Sequence, residues 1–281
     1  MPTFETPEPI TADLDVVHGD VRVRADRAGH TVVTVEPSDA TNGEDRKVAE
    51  QTRVEYSSGR LVVRTPKLRS WLPRTAGGSV DVTIEIPASS HLHAGGGLTD
   101  IHSEGPLGEV RIKLGMGRVD VEWAEAVTVK NGTGDIVVER AGGHVDIAAG
   151  SGEVRVRQLG STGVIKNSNG DVWVGEAQDD LRIASANGDI AVDHSRAPVV
   201  AKTSNGSVRL GDVARGAVVL ETHLGDLEVG IPVGTPAYLD VKATAGRVRN
   251  ALEASDAPDP AAESVEVRAR TTVGDVVIRH A

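Results

Sequence analysis

The chain has 281 residues, among them 32 glycines, no cysteine, one Phe, two Tyr and three Trp. The lack of cysteine excludes disulfides, thiolate metal sites and a cysteine nucleophile, and so few large aromatics argue against a packed α/β enzyme interior. A net charge of −11 argues against nucleic acid as the main partner, because phosphate binding needs a clustered basic surface.

The opening MPTFETPEPITADLD has neither a basic n-region nor an apolar h-region, so it is not a secretory signal. No stretch approaches 18 apolar residues, which leaves nothing to span a membrane. These two features set the expectation of a cytoplasmic protein.

Through residues 1–95 short alternating strands follow one another: DVRVRA from Asp20, TVVTVE from Thr31, RLVVRT from Arg60 and SVDVTIEIP from Ser79. They show no fixed period and are joined by longer loops, so the segment reads as an N-terminal antiparallel strand cap. One of its loops, PKLRSWLPRTAGG at 66–78, sets Trp71 and Leu72 beside Arg69. Such a grouping suits a contact surface and suits equally a flap folded over the end of a stack.

From Gly117 the pattern changes. GRVDV is followed by GDIVV from Gly134, GEVRV from Gly152, GDVWV from Gly170, GDIAV from Gly188, GSVRL from Gly206, GDLEV from Gly225 and GDVVI from Gly274. Up to Gly225 the spacings are 17, 18, 18, 18, 18 and 19. A period this short means stacked supersecondary units rather than one closed core.

Each unit can be read from its glycine. Positions +2 and +4 are aliphatic, as in Val172 and Val174. A second pair lies at −7 and −5, as in Leu181 and Ile183, and +7 is often small, as in Ala141 and Ala177. Period-2 alternation turns one face of each strand inward, and polar turns such as KNSNG and KTSNG supply residues that tolerate positive φ. The prediction is an all-β parallel β-solenoid over residues 96–281, about 18 residues per coil, with coils about 4.8 Å apart. Nine such coils would make a rod about 40–45 Å long. An insertion at 251–263, rich in Pro and acidic residues, reads as a surface loop. The last unit, GDVVI, is expected to form the outermost coil, with its strand edge open unless that insertion or a second molecule covers it.

The strand ending IEIP at Ile84–Pro87, the glycine-rich entry at Gly95–Gly97 and tandem units of the type Asn205–Leu210 together carry a resemblance. The chain resembles the bacterial putative-adhesin β-strand-repeat family, also called toastrack domains, over roughly residues 10–281. The resemblance implies a repeat fold without a recognised catalytic motif. It also implies a link to cell-envelope processes, since family members are often exported or attached to membrane helices.

Stacking converts each phase into a ladder. The +1 column contains Asp135, Asp171, Asp189, Asp226 and Asp275; the −4 column contains Lys113, Lys130, Lys166, Lys202 and Lys242. Turn carboxylates that accept hydrogen bonds account for the first. A calcium stripe at Asp171 and Asp189 is the sharper alternative, although the Gly-Gly-x-Gly-x-Asp nonapeptide is missing. Asn169, Asn187 and Asn205 align at −1 as an amide ladder. His91 and His93 share one strand face near His102, which could supply part of a zinc site, though scattered surface histidine is far commoner. No triad, P-loop or Rossmann motif is present.

The functional reading is a non-enzymatic interaction scaffold without cofactor or metal, whose partner is a protein or a second copy of itself. The alternative is a carbohydrate-binding or carbohydrate-processing solenoid using Trp173 at the outward +3 position. Candidate contact residues are Arg69, Trp71, Leu72 and Trp173.

Overall fold

The computed structural model describes residues 2–26, 29–66, 77–252 and 264–281, and within them the protein is almost entirely strand. The chain forms two compact units, Met1–Glu139 and Arg140–Ala281.

In the first unit the strands are β1 (Thr3–Glu5), β2 (Thr11–Asp26), β3 (His30–Pro37), β4 (Arg53–Ser57), β5 (Arg60–Arg64), β6 (Val80–Pro87), β7 (His91–Met116) and β8 (Val119–Thr133), with one helix, α1 (Gly43–Gln51). Parallel stacking begins as early as Thr11. β2 lies between two parallel neighbours, with β7 on one side and β5 followed by β6 on the other. Eighty residues thus separate Thr11 from its β7 partner His91, where later coils are separated by about one repeat, as in Ile101 and Val119. The intervening chain closes that end with antiparallel pairs: β4 on β5, β3 on β6 and β1 on β3.

The strand patterns of this segment hide α1. Its signals are those of a cap: the Asn42 side chain accepts the Glu44 backbone N–H at 2.9 Å, and Glu44 and Asp45 stand in the first turn, where carboxylates complement the helix dipole. Asp45 is also the tether. It is buried and accepts backbone N–H groups of Asp39 at 3.1 Å and Ser79 at 2.9 Å.

β9 (Ile136–Ala141) contains the junction of the units. The second unit then runs through β10 (Val145–Ser151), β11 (Val154–Leu159), β12 (Gly163–Asn169), β13 (Val172–Ala177), β14 (Leu181–Asn187), β15 (Ile190–Ser195), β16 (Val199–Lys202), β17 (Val208–Val213), β18 (Gly216–Leu224) and β19 (Leu227–Ile231). It ends with β20 (Ala237–Ala245), β21 (Val248–Asn250), β22 (Val265–Val273) and β23 (Val276–His280). Alternate strands stack in parallel: β10, β12, β14, β16 and β18 in one ladder, β11, β13, β15, β17 and β19 in the other. The expected phases are the observed ones. Val154, Val172 and Ile190 are register partners, each at most 1% exposed, and so are Leu159 and Ala177 at +7.

The order of the last coils departs from expectation. β18 and β19 pair with β22 and β23, and these pair in turn with β20 and β21. The coil ending in GDVVI is therefore interior, and the outermost coil is the earlier segment 237–250. Sequence order suggested the reverse because the local pattern of a strand does not say which coil it will lie against. Its terminal place explains why Leu239 and Val241, aliphatic at −7 and −5 like their buried counterparts, are only half-buried, and why Val248 is 45% exposed.

At the repeat turns of the second unit only the glycine adopts positive φ; Asn169, Asn187 and Asn205 do not. At Gly188 φ is 136°, and a Cβ would sit 2.2 Å from the carbonyl oxygen of Gly170 in the neighbouring coil. Backbone conformation and close approach thus both demand glycine there. An inward polar residue three positions earlier braces the same corner. Asn167 Nδ2 donates to Gly152 O at 3.0 Å, and Thr222 Oγ1 donates to Gly206 O at 2.9 Å. In the first unit Asn131 Nδ2 donates to Gly117 O at 2.8 Å.

Candidate interaction face

The outer face of the second unit is built by positions +1 and +3 after each glycine, which the pleat turns away from the core. On β13 this places Trp173 outside, half-buried, with register partners Arg155 and Ala191. The indole lies along its own strand over Gly175, where a Cβ would come within 3.1 Å of the Trp173 ring, and its Nε1 donates to Asp193 Oδ2 at 3.1 Å. Gly175 is required first by the Arg157 carbonyl oxygen, 2.5 Å from a Cβ placed there, and its bare backbone also leaves room for the ring. An aromatic held at both ends presents a fixed surface with little left to order on binding.

Next to it the +1 aspartates are occupied structurally. Asp171 Oδ1 accepts the backbone N–H of Asp189 at 2.8 Å, Asp189 accepts that of Ser207 at 2.7 Å, and Asp226 accepts that of Asp275 at 2.7 Å. Each carboxylate ties one coil to the next. The asparagines make the parallel amide ladder: Asn187 Nδ2 donates to Asn169 Oδ1 at 2.9 Å and Asn205 Nδ2 to Asn187 Oδ1 at 2.8 Å. Next to Asp193 in the chain, His194 pairs with Asp212 at 2.7 Å, and this hydrogen bond raises the imidazole pKa above its ordinary value.

The histidines of the first unit do not converge. His91 Nδ1 accepts the Glu109 backbone N–H at 2.9 Å, His93 Nδ1 lies 3.2 Å from Asp13, and His102 Nε2 lies 3.3 Å from Glu104. Among the described residues no group of three or more His, Asp or Glu side chains is arranged to hold a metal ion. Of the candidate contact residues, Trp173 stands on the face just described, while Arg69, Trp71 and Leu72 lie outside the described residues. No helix among the described residues is long and apolar enough to cross a membrane.

A glycine-cornered parallel β-solenoid with an antiparallel N-terminal end is the architecture of a repeat fold. The chain belongs to the Toastrack DUF4097 family, whose model matches residues 11–280. Among solved structures it is similar to a protein of Parabacteroides merdae described as a putative adhesin, at 12% identity and a TM-score of 0.43, covering 99% of this chain and 94% of that one. A Bacteroides fragilis protein with the same description is similar at 13% identity and a TM-score of 0.37, covering 99% and 95%. The comparison with curated proteins returns no match.

Proposed function

We infer that the chain is a non-enzymatic interaction scaffold that uses the Trp173 face of its second unit to hold a protein partner. The observation that supports this most directly is the indole reaching over Gly175 and anchored on Asp193, amid charged positions such as Arg155 and Arg209. Rigid aromatics in a polar surround are the usual anchors of protein contacts. The catalytic alternative has less to build on. His144 Nδ1 lies 2.8 Å from Thr162 Oγ1, but the pair is exposed and no carboxylate is ion-paired to His144 among the described residues. The family resemblance directs the search for a partner to proteins of the cell envelope.

The test is a pull-down from envelope fractions with the full chain and with Trp173→Ala. A polypeptide retained by the wild type and lost by the variant at unchanged thermal stability supports the reading. Retention of identical proteins by both overturns it.

A further inference from the structure

The first unit contains a groove that the Trp173 reading does not use. Its volume is about 360 Å³, at the small end of the range of small-molecule sites. Pairing across β5, β2, β7 and β8 sets its side chains in columns. Arg64 is the register partner of Asp15, Asp15 of Gly95, and Lys113 of Lys130. Gly95 and Lys113 both line the groove, so the glycine leaves a gap in a charged surface.

That gap is not required by the backbone. Gly95 has no positive φ, and the nearest atoms to a Cβ placed there are 3.9 Å away. A side chain would fit the fold and would fill the groove.

The charges around the gap are unequally satisfied. Arg60 is ion-paired with Asp13, and Arg111 with Glu109 at 2.6 Å. Arg64, Lys113 and Lys130 line the groove and have no ion pair among the described residues, and Asp15 likewise has no side-chain partner. In a chain of net charge −11, five cationic side chains against Asp13 and Asp15 at one opening are a local reversal of sign. Lys113 and Lys130 are adjacent in their ladder, about 4.8 Å apart at the backbone. Two ammoniums at that separation repel each other, and one dianionic group between them would relieve the repulsion. Asp15, an unpaired acceptor across the gap, excludes a second anion there and favours a hydroxyl donor.

We propose that this groove binds a compact, hydroxyl-bearing phosphate monoester, with sugar phosphates as the chemical class. The phosphoryl group lies between Lys113 and Lys130. The ring covers Gly95, and a hydroxyl donates to Asp15.

The test is calorimetric titration of the full chain with glucose 6-phosphate, glucose and inorganic phosphate, all at about 0.15 M salt so that diffuse attraction is screened. One-site saturable binding of the phosphate ester is expected, with both fragments at least about tenfold weaker, since each loses charged hydrogen bonds. The double variant Lys113→Gln, Lys130→Gln should lose at least about tenfold in affinity by the same reasoning. Gly95→Val should abolish binding while leaving the melting temperature near that of the wild type. Lys166→Gln, the same phase in the second unit, should change nothing. Absence of saturable binding, or binding unaltered in the double variant and in Gly95→Val, would overturn the proposal. Inorganic phosphate binding as tightly as the ester would overturn the assignment of a hydroxyl-bearing ligand.

Discussion

At the scale of single residues the inward phases carry the stability and the outward ones carry little. Val172 is 1% exposed and stacks between Val154 and Ile190, so Val172→Ala should cost about 1–3 kcal/mol through lost burial and the cavity left behind. Arg155 projects outward in a solvent-exposed pair with Glu153, and Arg155→Ala should change stability by less than about 0.5 kcal/mol. Denaturant unfolding of both variants checks the contrast. Asp20 offers a pH-dependent counterpart. Burial raises its pKa, and Asp81 and Asp100 add to this against the opposing pull of Arg22 and His102. Its carboxyl therefore binds a proton more tightly folded than unfolded. The stability this provides is present below the unfolded pKa and lost as pH rises through the folded one. Asp20→Asn should raise the melting temperature at pH 7 and lose that advantage in acid, below both pKa values. His194 follows the same sign for a base: its Asp212-paired form stabilises below the unfolded pKa, and the contribution is lost as pH rises through the raised folded value. A histidine titration followed by NMR should show the His194 midpoint falling in Asp212→Asn.

At the scale of the repeat, the sequence displays what lies on one strand and conceals what crosses between strands. Val172, Val174 and Ala177 declare their burial through alternation alone. Asn167, Thr203 and Thr222 sit in stretches that read as polar turns, yet they are buried. Their partners are glycine carbonyls of an adjacent coil, which no local pattern reveals. The groove was hidden for a related reason: Arg64 and Lys113 are far apart in the chain and line one groove only because β2 pairs on both sides. Trp173 was visible as outward, but its grip on Asp193 was not. The corner suggests a matched pair of variants. Gly188→Ala puts a Cβ 2.2 Å from a carbonyl oxygen at positive φ, and should be among the most damaging single changes in the second unit. Thr222→Val keeps the shape and deprives the Gly206 carbonyl of a donor, which should cost about 1–3 kcal/mol. Hydrogen exchange at Gly206 and Gly225 would report both.

At the scale of the whole molecule, the reversed order of the last two coils decides how truncations behave. Among the described residues β20 pairs with β22 alone, so removing residues 264–281 should unseat the 237–250 coil as well, and the loss of strand signal by circular dichroism should correspond to both coils. Were the coils stacked in sequence order, only the outermost would be lost. The same reversal bears on synthesis. A ribosome delivers the chain from one end, at roughly 5–20 residues per second, and most coils of the second unit can dock as they emerge onto the coil just made. Residues 237–250 cannot, because the surface that receives them is made of strands still to be translated. That segment must wait, exposed, while its successor slips in ahead of it, and chaperones would find their target in that interval.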